Sequence, residues 1–571
     1  MSKSWKKIKP IQNGNFNKYS GILESVLLEN REIFNDDDAK KFFNPSFDNL
    51  ESPFVMKDMK KAVMRIEKAL KNKEHIMVYG DYDVDGTTSV SLIYNYFKNY
   101  HSNITYYIPD RYTEGYGVSI QGIDYAKSQE VTLMIILDCG IKALKQIEHA
   151  NYLGIDAIIC DHHRPGETVP KAVAILNPKQ VDCPYPYKEF SGCGIGLRLA
   201  QAYAEHMKLD ARLANQGLDL AATSIAADIV PITGENRVFA HFGLIKVNKK
   251  PSYGLNALLQ IAGQTNPISS IEDLVFKVSP RINAAGRMIH ASKAVDLLTS
   301  VDNITAKAIA SEINDLNTSR KDVDSSITTE ALDILKKEKY YDKKKSTVIA
   351  KADWHKGVIG IVASRLIEQY YRPTIVFTIL NGSATGSARS VKGFDIYAAI
   401  HECDDLIENW GGHTFAAGLT IKTENLEKFK VRFEEVVAKS ISQAQQIETL
   451  LYDEELTLDL IDSKLINDLK KFEPHGPGNM KPLFISKNVQ VPPKGAKSIG
   501  TDKAHLKFKV VQNDIEIDCI AFGLGNMADE IMNAKGIDIC YTIEENHWNN
   551  TITTQLNVKD IKLAPDERTS S

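Results

Sequence analysis

The chain has 571 residues, 43% hydrophobic and 25% charged, and its 69 Lys and Arg against 73 Asp and Glu give a net charge of −4. That composition fits about three or four folded domains and excludes a globally basic nucleic-acid binder, so a polyanion site must rest on local Arg and Lys or on metal ions held by acids. No stretch approaches the ~18 apolar residues of a membrane span, and Met1-Ser2-Lys3-Ser4-Trp5-Lys6-Lys7 leads into no secretory apolar run. Seven cysteines without a C-x-x-C pair exclude a zinc ribbon and suit a reducing, cytoplasmic setting.

Residues 1–55 are polar and mixed, with an acidic run at Asp36-Asp37-Asp38, and read as an N-terminal helical arm. From about residue 60 the pattern turns α/β. Ala62, Val63, Ile66 and Leu70 share a helical face. Short apolar runs follow at 75–79, 105–109, 133–137 and 156–160, separated by helix-like segments. This alternation predicts a parallel sheet with crossover helices, forming a lobe over 56–300 whose part from 194 is mainly helical. Ile309, Ile313, Leu316, Val323, Ile327, Ala331 and Ile334 recur at helical spacings and predict a connecting helix over 301–340. A smaller α/β lobe spans 341–445, with strands near 347–350 and 374–378. Alternation at 506–510 and 515–520 predicts a small β-barrel over 446–563. The polar tail 564–571 reads as disordered.

Three of the four early apolar runs lead into acids: Asp81, Asp138 and Asp161. In an open α/β sheet, ligands bind beyond the carboxyl ends of the strands, so these acids should converge. Asp81, Asp83 and Asp85 alternate between Gly80 and Gly86. Carboxylates so crowded resist joint ionisation, a problem that divalent cations such as Mg²⁺ or Mn²⁺ remove. A calcium loop counted from Asp81 needs Glu at its twelfth position, which is Leu92. In Asp161-His162-His163 the two imidazoles diverge, leaving one to ligate metal and the other to face substrate. Asp138-Cys139-Gly140 alone is a weak, turn-like signal. Asp228 sits in an apolar helical context, where an acid either caps something or binds metal.

Taken in order, Gly80-Asp81-Tyr82-Asp83-Val84-Asp85-Gly86, Leu137-Asp138-Cys139-Gly140, Asp161-His162-His163 and Ala227-Asp228 resemble the DHH phosphoesterase superfamily. Gly386-Ser387-Ala388-Arg389-Ser390 and Gly411-Gly412-His413-Thr414-Phe415-Ala416-Ala417-Gly418 look like its companion DHHA1 domain. Pro109-Asp110-Arg111, Glu114-Gly115-Tyr116-Gly117, Pro280-Arg281-Ile282-Asn283-Ala284-Ala285-Gly286-Arg287 and Glu473-Pro474-His475-Gly476-Pro477-Gly478-Asn479 are similar to the RecJ branch, single-strand-specific 5′→3′ DNA exonucleases. One departure is Tyr79, where many members carry a His that ligates metal.

The resemblance implies a parallel-sheet DHH lobe, a long helix, a smaller DHHA1 lobe and an OB-type barrel. It implies two Mn²⁺ or Mg²⁺ ions. Asp81 and Asp83 would serve one, Asp85, His162 and Asp228 the other, and Asp138 would bridge them. With Asp83 and Asp138 at the reacting centre, His163 would contact the scissile phosphate or assist the leaving group. Arg281, Ser387 and Arg389 are candidates for a 5′-phosphate pocket, with Arg111, Arg287, Asn283 and His413 adding contacts. In the barrel, Lys503, His505, Lys507, Lys509 and Trp548 would meet single-stranded DNA. The implied enzyme is a cytoplasmic monomer in DNA repair and recombination, releasing 5′-mononucleotides, with single-strand-binding protein and a helicase as candidate partners. The alternatives are a DHH phosphodiesterase acting on short oligoribonucleotides or cyclic dinucleotides, which would lack the barrel, and a silent scaffold, which would lack the acids.

Overall fold

The early apolar runs become five short strands: β2 (Ile76–Gly80), β3 (Ile104–Tyr107), β4 (Leu133–Leu137), β5 (Asp156–Cys160) and β6 (Ala174–Leu176), after an N-terminal β1 (Ser4–Lys7). The computed structural model describes residues 3–19, 21–264, 267–268, 270–338, 341–548 and 551–563. The five strands pair in parallel in the order β3-β2-β4-β5-β6. The strands are apolar at nearly every position because helices cover both faces. Ile76, Val78, Leu133, Ile135 and Leu137 pack with Val63, Ile66, Ile93 and Phe97 on one face. Met77, Tyr79, Met134 and Ile136 pack with Ile123 and Ile147 on the other. The chain runs from β2 outward to β3, then back across to β4. The switch point therefore lies between β2 and β4, where such sheets open a crevice.

Helices α3 (Met59–Lys71), α4 (Val84–Lys98), α5 (Ile120–Ser128) and α6 (Leu144–Tyr152) serve this sheet, following α1 (Ile22–Glu29) and α2 (Asp36–Phe43). A helical block completes the lobe: α7 (Gly192–His206), α8 (Ala211–Ala214), α9 (Leu218–Ala227), α10 (Gly234–Lys249), α11 (Tyr253–Ile261), α12 (Ile271–Asp273), α13 (Ser279–Met288) and α14 (Ser292–Leu298). The connecting helix α15 (Asn303–Lys337) has 35 residues, and Asp302 caps it by accepting from the Ile304 and Thr305 N–H groups.

The second lobe is a mixed sheet of order β10-β11-β9-β8-β7. Its strands are β7 (Thr347–Ala352), β8 (Thr374–Leu380), β9 (Ser383–Arg389), β10 (Asn409–His413) and β11 (Ala416–Lys422), with α16 (Ile359–Tyr370) between the first two. The third sheet has the order β13-β14-β18-β19-β17-β16-β15. It comprises β13 (Glu454–Glu455), β14 (Phe484–Val489), β15 (Ala496–Ile499), β16 (His505–Gln512), β17 (Ile515–Ala521), β18 (Ile537–Trp548) and β19 (Thr551–Leu563), which follow β12 (Thr449–Tyr452). Paired backbone bonds between Gln490 and Val511, at 2.9 and 2.8 Å, tie the end of β14 to β16 and close the barrel.

The N-terminal segment adds a strand to the helices α1 and α2. It begins with strand β1, paired in parallel with β12 across Ser4↔Thr449 to Lys7↔Tyr452. Trp5 Nε1 donates to Asp560 at 2.8 Å, and Leu27, Leu28 and Ala39 enter the barrel core beside Phe472 and Phe484. The segment is too polar to bury a core alone, so its few apolar side chains use the barrel's. Arg237 locks this arrangement to the first lobe, its guanidinium donating to the carbonyls of Phe42, Phe472, Glu473 and Pro474. Among the described residues no helix is long and apolar enough to cross a membrane.

Candidate metal centre and substrate cleft

Because β2, β4 and β5 are neighbours, whatever follows them meets at one sheet edge. Asp81 follows β2, Asp138 follows β4, and Asp161-His162-His163 follows β5. Asp83 caps α4, its carboxylate accepting from the Gly86 N–H at 3.0 Å, and Asp85 lies in that helix's first turn. Asp228 is the residue after α9. Asp138 takes a left-handed backbone, φ 59°, which an ordinary side chain rarely adopts. Beside it Gly192 leaves no room for a side chain: a Cβ there would stand 2.6 Å from that of Asp138.

His162 Nε2 lies 3.1 Å from Asp138 Oδ1, 3.6 Å from Asp228 Oδ2 and 3.8 Å from Asp85 Oδ2. Both Asp138 Oδ1 and His162 Nε2 are buried without a hydrogen-bond partner. Leaving such an atom unsatisfied costs about 1–3 kcal/mol, which a cation seated between these donors would offset. The donor atoms of Asp81, Asp83 and Asp138 lie within 4.8 Å of one another, as do those of Asp85, His162 and Asp228, and those of Asp138, His162 and His163. Carboxylate oxygens with imidazole nitrogen suit Mn²⁺ or Mg²⁺.

Electrostatics point the same way. Burial, reinforced by the neighbouring carboxylates, raises Asp81 and Asp138 well above the ordinary carboxylate range. Burial with Asp85 and Asp83 pushes Asp228 up to about 8. His163 behaves oppositely. Burial disfavours its charge, but the bond from Nδ1 to Asp161 Oδ1, 2.8 Å, raises it overall. Asp161 is held low against its own burial by that same bond, and its other oxygen accepts from the Ile141 N–H at 2.9 Å. The ring is thereby fixed with Nε2 outward, 3.2 Å from the Tyr116 hydroxyl.

A cavity of about 830 Å³ separates this centre from the second lobe, lined by His163 and Tyr116 on one side and by Ser387, Arg389 and His413 on the other. Arg389 Nη1 donates to Ser387 Oγ at 3.1 Å, Arg287 Nη1 donates to the Gly357 carbonyl at 2.7 Å, and Arg111 lies 4.8 Å over the Tyr82 ring. Burial, then Arg111 and Arg389, push Arg287 down to about 10. Cations crowded this way favour an anion among them.

Three family models match: the DHH family N-terminal domain over residues 75–225, the DHHA1 domain over 343–439, and the RecJ OB domain over 452–560. The single-stranded-DNA-specific exonuclease RecJ of Bacillus subtilis (strain 168) is 36% identical over 544 residues, 95% of this chain and 68% of that protein. Its namesake in Salmonella typhimurium is 32% identical over 524 residues, 88% of this chain and 89% of that one. The chain belongs to the RecJ family. RecJ from Thermus thermophilus in complex with Mn²⁺ shares the fold with a TM-score of 0.83 at 25% identity, covering 99% of this chain and 80% of that one. An exonuclease RecJ bound to manganese gives 0.59 at 30% identity, covering 68% of this chain and 96% of that one.

Against this RecJ-family frame, the expected residues divide. Asp81, Asp83, Asp85, Asp138, His162 and Asp228 come together, and Arg111, Arg287, Ser387, Arg389 and His413 line the cleft. Arg281 and Asn283 are not among the cleft-lining residues. Arg281 turns to the connecting helix, donating to Asn314 Oδ1 at 3.1 Å and to the Lys277 carbonyl at 2.6 Å. Six positions along a helix separate it from Arg287, which puts the two about 120° apart. Tyr79 belongs to the opposite sheet face, its hydroxyl donating to the Gly117 carbonyl at 3.0 Å and accepting from the Ser119 N–H at 3.1 Å. Lys507 stands exposed on the barrel beside Lys497, its partner in register. Trp548 ends β18, and its side chain lies outside the described residues, as does the tail 564–571. Tyr116, Lys142 and Lys356 also line the cleft, beyond the residues expected from sequence. Only Tyr116 had a signal, its place in Glu114-Gly115-Tyr116-Gly117.

Proposed function

We propose that this RecJ-family protein is a single-stranded-DNA-specific exonuclease that removes 5′-mononucleotides stepwise from the 5′ end with two Mn²⁺ or Mg²⁺ ions. The observation carrying this reading is the orphaned Asp138–His162 pair, 3.1 Å apart, beside a cleft that His163 shares with Arg111, Arg287 and Arg389. Asp81, Asp83 and Asp138 would hold one ion; Asp85, His162, Asp228 and the shared Asp138 would hold the other. A metal pair supplies an acidified water and charge compensation for the attacking and leaving oxygens.

The chain's own groups do the rest. Arg389, Ser387, Arg287 and Arg111 bind the terminal phosphate, which fixes polarity by seating the end of the strand. Forked, charge-assisted contacts of this kind orient a phosphate as well as bind it. Asp161 keeps His163 protonated at Nδ1. His163 Nε2, the atom facing the cleft, donates to the scissile phosphate or leaving oxygen. Tyr116 steadies that ring. The barrel at 446–563, with Lys507, grips the strand, while the connecting helix at 301–340 spaces the lobes at 56–300 and 341–445. One chain supplies both walls of the cleft, which supports a monomer. Strand separation by a helicase and capture by single-strand-binding protein would feed it, in DNA repair and recombination. Seven unpaired buried cysteines suit the cytoplasm.

The test is a digestion of long 5′-phosphorylated single-stranded DNA against duplex DNA, dinucleotides and cyclic dinucleotides in Mn²⁺. Mononucleotides should appear from the 5′ end of the long single strand. Cleavage confined to the dinucleotides would overturn the reading.

A further inference from the structure

Asp85 is the most heavily held acid of the cluster. The Gly192 N–H donates to its Oδ2 at 2.6 Å and the Cys193 N–H to its Oδ1 at 2.8 Å, both from the first turn of α7. Ser224 Oγ lies 2.7 Å from Asp85 Oδ1 and 2.6 Å from Ser191 Oγ. A hydroxyl has one proton and a carboxylate only accepts, so Ser224 gives its proton to Asp85 and receives one from Ser191. Ser191 in turn caps α7, accepting from the Gly194 N–H at 3.1 Å. Ser191, Ser224 and Asp85 are all buried. Asp81, by contrast, is met by backbone alone, from Tyr82 and by a long 3.4 Å contact from the Gly117 N–H.

We infer that Ser224, backed by Ser191, is a positioning residue for the ion held by Asp85, His162 and Asp228. This rests on the metal assignment proposed above. Ser224 aims one oxygen of Asp85 while the α7 amides hold both, so the carboxylate is oriented before a cation arrives. Ser224 also lies one turn before the end of α9, and Asp228 follows that helix, so the hydroxyl couples two donors of the same ion. The Asp81 and Asp83 carboxylates are held by backbone N–H groups, with no hydroxyl bonded to either among the described residues. A second layer of this kind governs metal affinity, and its removal typically costs about 10–100-fold.

The test is calorimetric titration of Mn²⁺ into the metal-free full-length protein, with wild type, S224A, S191A, S224T and D85N, alongside thermal unfolding without metal. Wild type should bind two ions, and D85N identifies which step belongs to Asp85. S224A should weaken that step about 10-fold and leave the other unchanged, S224T should restore it, and S191A should weaken it about two- to threefold. In digestion assays S224A should need more Mn²⁺ yet approach wild-type kcat at saturation. Two ions in wild type with neither step altered in S224A would overturn the inference. If S224A does not fold, an unaltered D85N-sensitive step in S191A would do the same. Failure of wild type to bind two ions would instead overturn the metal assignment.

Discussion

The acid cluster and the cations of the neighbouring cleft come from different kinds of structure. Asp81, Asp138 and Asp161-His162-His163 follow three adjacent parallel strands, so one edge gathers them whatever the rest of the chain does. Arg287 comes from the end of α13, while Ser387 and Arg389 alternate along β9 in another lobe. The acid cluster is assembled within one lobe, its sheet edge completed by Asp85 of α4 and Asp228 after α9, whereas the cleft's cations come together only once α15 has placed two lobes together. Damage to the first should therefore act on chemistry and metal, and damage to the second on binding of the strand's end.

The largest effect should come from the acid cluster. Asp138→Asn should lower kcat on the order of 10³-fold at any Mn²⁺ concentration, measured by single-strand digestion. It should also raise the melting temperature of the metal-free protein near neutral pH, because folding penalises the ionisation of Asp138 and Asn carries no such penalty. A lower melting temperature would argue that Asp138 is structural. His163→Gln should cost about 10²–10⁴-fold in kcat with Mn²⁺ dependence nearly unchanged, the signature of a proton donor. A large shift in Mn²⁺ dependence would make His163 a ligand instead.

Among the cleft's cations, Arg389→Ala should lower kcat/KM about 10–100-fold on 5′-phosphorylated DNA, chiefly through KM, and much less on 5′-hydroxyl DNA. Arg281→Ala should change either substrate less than about two-fold, since its guanidinium is turned to Asn314. Equal losses in both variants would place Arg281 among the residues that bind the strand's end and contradict its turn towards Asn314.

How much was legible follows from the same contrast. The acid cluster could be read from sequence because strand ends carry their own geometry: an apolar run followed by Asp81, Asp138 or Asp161 fixes which edge the acid occupies. Arg281 and Arg287 share one motif, and only the phase of α13 separates them. Ser224 gave no signal, since its role depends on α7 and α9 meeting at Asp85. Strand β1 pairs with β12 some 440 residues away, and no local pattern in Ser4–Lys7 announces that. Tyr79 packs against α5 at Gly122 and bonds the Gly117 carbonyl, a contact that only the pleat of β2 decides.

The smallest effect concerns the joint between the barrel and the first lobe. Burial, with Arg31 and Lys481 nearby, pushes His475 down to about 3. The unfolded chain therefore binds a proton that the folded chain refuses between about pH 6.5 and 3, so stability falls as pH drops through that window. The slope from this group is about 1.4 kcal/mol per pH unit. Urea unfolding at pH 6.5 and 5.5 should show a shallower loss in His475→Gln than in wild type; identical slopes would remove His475 from the account.

The central claim is that Asp138 joins two metal positions at the sheet edge. Anomalous scattering from a crystal grown with Mn²⁺ tests it most directly. Two manganese peaks are predicted, one beside Asp81 and Asp83, the other beside Asp85, His162 and Asp228, with Asp138 contacting both. A single peak, or two peaks that do not share Asp138, would contradict it.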